Sequence, residues 1–162
     1  MSGFTAAGIL STTVTTTQQA PLGFVLTVPD STTSGDSGYG MQEWVYVKAS
    51  AALAKGNVCG RAVGAITQPF VAGLSVAADT RAGVVGVAQH TIASGSYGFV
   101  LRSGVGSVLT DDSITAGCTF TTAADGEVTI FADGEEEKVL GQAFAADAGD
   151  QTLVLATIDC GK

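Results

Sequence analysis

Residues 43–58, EWVYVKASAALAKGNV, decide how this chain folds. Trp44, Tyr46 and Lys48 alternate with Val45 and Val47, the two-residue period of a strand, and the β-branched and aromatic side chains suit a pleated surface. An Ala-rich stretch follows, then Leu53 and a Lys55-Gly56-Asn57 turn that leads into another apolar run. Glycine supplies the positive φ of a tight turn without steric cost. The same layout returns at 107–120, SVLTDDSITAGCTF, with Gly117 at the turn.

A second echo is stronger. VVGVAQHTIASGSYGFVLRSG, from Val84, matches VLGQAFAADAGDQTLVLATIDCG, from Val139: two apolar residues, Gly-x-Ala, a polar stretch to Gly95 or Gly149, and a strand through Phe99–Leu101 or Leu153–Leu155. Two such copies read as β-hairpins in equivalent places of one barrel or sandwich, too few and too irregular for a solenoid. No segment sustains apolar residues at helical spacing over three turns. The least certain stretch, QPFVAGLSVAADTRAG, has room for one short helix, but its Gly73, Val and Ser content favours loop and strand. The expected fold is all-β, a compact β-barrel or sandwich of about eight to ten short strands.

Residues 1–20 are Thr-rich and poor in charge. They suit an extended N-terminal arm, either disordered or ordered by adding to the edge of something else. Residues 21–162 then form a single β domain. GFVLTV reads as a strand before EWVYVKA, and the polar PDSTTSGDSGYG between them makes a hairpin connection longer than the usual two to five residues, a candidate contact surface.

Composition narrows the function. Hydrophobic residues are 46% of 162 and aromatics only 7%, with 22 glycines, so the core is built from small side chains. Seven Lys plus Arg against 15 Asp plus Glu leave a net charge of -8, which opposes broad contact with phosphates, and no nucleic-acid partner is expected. The apolar runs break well short of the roughly 18 residues of a spanning helix, so no membrane partner is expected either. The first residues lack a positive n-region and a sustained apolar run, which points to synthesis in the cytoplasm. Cys59, Cys118 and Cys160 are widely spaced and fit neither a zinc site nor a disulfide framework; they read as small buried or half-buried side chains.

Catalytic chemistry finds little footing. His90 is the only histidine and no G-x-S-x-G elbow is present, so a nucleophilic triad lacks its parts. Asp111, Asp112 and the DGEEEK run sit in turn-like sequence without the aromatic platforms a glycosidase uses. Asp125, Glu127, Asp133 and Glu135 offer oxygens to a calcium ion, but the EF-hand spacing is absent. The competing reading, a solvated acidic hairpin tip guarding a sheet edge, is preferred. No catalytic residue, metal or cofactor is assigned.

The order PLG, apolar strand, Gly-Tyr-Gly loop, EWVYVKASAALAKGNV, GVAQHTIASGSYGFVLRSG, SITAGCTF and a final LGQAF…LVLATI resembles the small capsid decoration, or cement, proteins of tailed phages. The resemblance covers most of residues 21–158 and rests on strand and turn signatures. It implies a virion protein on the outer surface of the assembled capsid that bridges major capsid protein subunits, stabilises the head and catalyses no reaction. A homotrimer at local three-fold positions is a further implication. In that setting the arm adds a strand to a capsid edge while Phe4, Leu10, Val14, Leu22 and Phe24 act as apolar capsid-contact residues. The alternative is a carbohydrate- or receptor-binding head appendage, which requires Tyr39, Trp44 and Tyr97 to share an exposed platform.

Overall fold

The computed structural model describes residues 10–29, 40–61, 68–147 and 149–160. The regular structure there is strand: β1 Val25–Pro29, β2 Met41–Ala49, β3 Val58–Arg61, β4 Val71–Leu74, β5 Val84–Val87, β6 Tyr97–Leu109, β7 Thr119–Thr122, β8 Val128–Ile130, β9 Val139–Ala143 and β10 Leu153–Asp159. Single 3-10 turns at Arg81–Gly83, Ala124–Gly126 and Glu136–Lys138 are the helical pieces. The all-β expectation holds, and the uncertain stretch 68–83 is strand and loop that ends in the 3-10 turn Arg81–Gly83.

The ten strands form one sheet in the order β1-β2-β4-β3-β5-β6-β10-β9-β7-β8, and an additional β2–β6 pairing closes β2-β4-β3-β5-β6 into a five-stranded barrel. Five strands enclose little space, so the interior must be small. It is: Val45, Val47, Ala49, Cys59, Ala72, Val85, Ala88 and Val100 form one buried cluster, with Leu53 and Ile92 packed onto it. Removing each of the larger aliphatic side chains from water stabilises the fold by about 1.5–3 kcal/mol. The low aromatic content read from the sequence is thus the composition of a narrow barrel.

The two sequence echoes prove to be parts of one duplication. β6 is long because its first half closes this ring against β2, while its second half, Ser103–Leu109, pairs with β10. From there the ring repeats. The bulge between Cys59 and Gly60 against β5 recurs between Phe120 and Thr121 against β9. The parallel contact of Lys48 and Ala49 with β4 recurs as a parallel bridge between Thr110 and Val128. Leu53 and Ile92 exchange backbone hydrogen bonds at 2.9 and 2.9 Å; Ile114 and Asp147 do the same at 3.2 and 2.7 Å. Gly56 and Gly117 occupy equivalent turns, with φ of 91° and 82°. The two rings therefore share β6 as a common wall.

The interior of the second ring, with Val108, Ile114, Phe120, Val128, Leu140, Ala143, Val154 and Ala156, belongs to the larger core cluster. That cluster also takes in Trp44, Tyr46, Phe99 and Leu101 from β2 and β6, with Leu26 from β1. The second ring differs from the first at one end. Ala49 and Ile92 are replaced by Thr110 and Asp147, and the buried Thr110 hydroxyl donates to the Asp147 carboxylate. All three cysteines are free thiols; Cys59 and Cys160 are buried and Cys118 half-buried.

Candidate functional site

The described part of the N-terminal arm lies along the first ring. Thr15 makes a two-bond antiparallel bridge to Tyr97, at 3.0 and 2.8 Å, so this part of the arm adds to an edge of its own barrel. The Gln19 N–H then donates to the Tyr46 hydroxyl at 3.0 Å, and Ala20 is buried. Beyond it the Gly23 N–H donates to the Tyr46 carbonyl and the Tyr46 N–H to the Phe24 carbonyl, at 2.8 and 2.9 Å, which leads the chain into β1. Gly23, with φ of 82°, leaves room only for a hydrogen where the Phe70 ring presses against it.

Where the arm crosses the barrel an open cleft of about 580 Å³ forms between Gln18, Pro21, Leu22, Lys48, Pro69 and Tyr97. Tyr97 stacks on Tyr46 with ring centroids 6.2 Å apart, and the Lys48 ammonium stands 5.7 Å from the Tyr97 ring. Such a cation is attracted by the ring quadrupole, which fixes both side chains at the cleft wall.

The five apolar contact candidates divide. Leu10 and Val14 are 56% and 37% exposed. A turn in which the Thr13 N–H donates to the Leu10 carbonyl presents Leu10. Leu22 and Phe24 are half-buried and packed against the core, Phe24 edge-on to Phe99 at 6.4 Å. Phe4 lies outside the described residues, as does the loop from Pro29 to Gly40 apart from its ends. The aromatic platform of the alternative reading is not assembled: Tyr39 is outside the described residues, and Trp44 is buried, its indole N–H donating to Gln42 at 3.2 Å.

The remaining chemistry-bearing groups are dispersed. His90 is half-buried in the turn after β5, its Nε2 lacks a hydrogen-bond partner, and burial lowers its pKa. Burial pushes the Cys59 thiol up to about 12, which leaves it protonated and unreactive at neutral pH. The four proposed calcium ligands do not converge. Glu135 instead pairs with Lys138 at 3.0 Å, while Glu127 meets Asp111 and Asp150, the three offering carboxylate oxygens within 4.8 Å of one another. Asp111 and Asp150 lie far from Glu127 in sequence, so spacing gave no signal for this grouping.

Glu127 is buried, and its carboxyl is pushed above the ordinary range first by burial and then by the charges of Asp150 and Asp111. A carboxyl with a raised folded-state pKa contributes stability below its ordinary value of 4.5, and that contribution is lost as pH rises through the folded value. Glu127→Gln keeps the shape and removes the titration. It is expected to raise the melting temperature at neutral pH. The variant should also flatten the decline above the ordinary carboxyl pKa. An unchanged pH profile in thermal melts would count against this account.

The fold thus defines a tandem five-stranded β-barrel with an N-terminal segment strapped across its first ring. Compared by sequence, no family model and no curated protein matches the chain. Among solved structures it is similar to the N base of head fibre gp8.5 of bacteriophage phi29. The two agree with a TM-score of 0.53 at 20% identity, over 75% of this chain and 98% of that one.

Proposed function

We propose that this protein is a structural component of a bacteriophage head that binds the outer surface of the assembled capsid, bridges major capsid subunits and performs no reaction. The observation that carries this reading is the likeness of fold to a head-fibre base, which extends over 98% of that chain. The chain adds physical support: two rings with a common wall make a stiff body, and the strapped arm carries exposed Leu10 and Val14 away from the core. Apolar side chains of this kind fill grooves on a partner surface while the backbone adds to a sheet edge. A homotrimer holding three such segments on one lattice would bind firmly through effective concentration, without a large single interface.

The test is cosedimentation of the purified protein with undecorated phage heads, beside a variant carrying Leu10→Ser and Val14→Ser. Both positions are exposed, Leu10 the more so, and the melting temperature should stay nearly unchanged. Loss of two buried aliphatic contacts, each about 1.5–3 kcal/mol, should weaken binding at least tenfold. Saturable binding by the parent chain with reduced binding by the variant supports a capsid-surface role anchored by the arm. Equal binding by both removes the arm from the interface, and absence of binding by the parent chain overturns the proposal.

A further inference from the structure

The chain has three arginines, Arg61, Arg81 and Arg102, and all three line one cavity of about 170 Å³. They arrive from separate elements: the end of β3, the 3-10 turn before β5, and the middle of β6. The rest of the wall is mainly apolar, with Val45, Val85 and Phe70 among its residues. Three guanidinium groups gathered in one place repel one another unless negative charge joins them, because an arginine cannot shed its proton.

The protein supplies two of the counter-charges. Arg81 pairs with Asp159 at 2.5 Å and Arg102 with Glu43 at 3.6 Å. Arg61 is held differently: its guanidinium donates to the carbonyls of Pro69 and Ala82, at 2.5 and 3.4 Å, and lies 5.7 Å from the Phe70 ring. No carboxylate pairs with it among the described residues. In addition the Arg81 Nε–H is buried and has no hydrogen-bond partner among the described residues. Among the described residues the three arginines and their two acidic partners therefore leave one positive charge, that of Arg61, without a carboxylate.

We infer that this pocket is a carboxylate-binding site, in which one monoanion sits beside Arg81 and faces the Arg61 guanidinium. Size and charge both set the class. The cavity admits a carboxylate with a short apolar stem and excludes a nucleotide, and a single surplus positive charge suits a monoanion better than dianionic phosphate. Planar guanidinium groups match the two oxygens of a carboxylate, which adds geometric selectivity. The same chemistry is offered by a free small carboxylate and by a Glu or Asp side chain of a protein partner. The inference stands apart from the capsid reading and survives its failure.

The experiment is titration of the ¹⁵N-labelled protein at constant ionic strength, following the arginine Nε–Hε signals by NMR. The probes are sodium acetate, N-acetyl-glutamic acid amide, N-acetyl-glutamine amide and inorganic phosphate. Saturable shifts of the Arg61 and Arg81 signals with acetate and the glutamic acid compound, and none with the glutamine compound, are expected. Arg61→Gln, an exposed position, should weaken the response about tenfold while the backbone spectrum stays native, and Arg61→Lys should weaken it less. Equal affinity for the two carboxylates supports a free small acid as ligand; tighter binding of the glutamic acid compound supports an acidic side chain of a partner. Absence of saturation with either carboxylate up to about 50 mM, or stronger binding of phosphate, overturns the inference.

Discussion

Replacing Gly141 with alanine is expected to destabilise the protein by about 3 kcal/mol or more, at the upper end of overpacking effects. The reason is space. A Cβ at Gly141 would overlap the carbonyl oxygen of Thr157 on the neighbouring β10 and would stand 2.9 Å from Cζ of Phe120. A flexible side chain could retreat, but a backbone carbonyl inside a paired strand cannot do so without breaking the ladder. The duplication provides the control. Gly86 holds the equivalent place in the first ring, where a Cβ would meet the Val100 methyl at 2.7 Å and the Leu101 carbonyl at 2.8 Å. Gly86→Ala should therefore also destabilise, but by less. Thermal melts followed by circular dichroism check both: about 6–12 °C lost for Gly141→Ala and a smaller loss for Gly86→Ala. The reverse order would mean that β9 and β10 do not approach as closely as described.

The second large effect is expected at Phe120, whose truncation to alanine should cost about 3–5 kcal/mol. Phe120 is fully buried in the second ring, and the tip of its aromatic ring covers Gly141. The position it fills is taken in the first ring by Cys59, a much smaller side chain. The difference is balanced by neighbours: Val45 and Val100 of the first ring correspond to Gly106 and Ala156 in the second, which leaves room for a benzyl group. Cys59→Ala should accordingly cost far less than Phe120→Ala, because fewer atoms are removed and the cavity is smaller. Urea denaturation of the two variants tests this. Similar losses at both sites would show that the rings do not divide their volume in this way.

Much of the architecture was legible in the sequence, and the reasons are local. The alternation in EWVYVKA placed β2, and the glycines at 56 and 117 marked turns whose positive φ the structure contains. Both internal echoes were visible as patterns. Their union into one repeat was not, because the loops between equivalent strands differ in length and the aligned residues are often only similar in size. Gly86 and Gly141 match, while Cys59 corresponds to Phe120 and Ile92 to Asp147. The volume exchange between rings is a property of three-dimensional neighbours, invisible to a reading along the chain.

The exposure of the candidate contact residues is not legible in the sequence. Hydrophobicity alone does not distinguish an anchor from a core side chain, so Leu22 and Phe24 looked like Leu10 and Val14 although they pack inward. The alternative reading requires an exposed Trp44, and the pleat turns it inward. The arginine pocket leaves no signature along the chain, because its three members are separated by long stretches and converge only when β3, β5 and β6 assemble. A basic cluster is easily missed in a sequence whose totals are acidic.

The long β6 strand also sets an order of events. During synthesis the first ring has all its strands once β6 begins to emerge, whereas the second must wait for β10. Since the second half of β6 continues a strand already fixed by β2, closure of the first ring sets the direction and register on which the later hairpin is laid down. The early half of the chain is thus expected to act as a template for the late half, dividing the long-range pairing that usually slows β-proteins into two shorter searches.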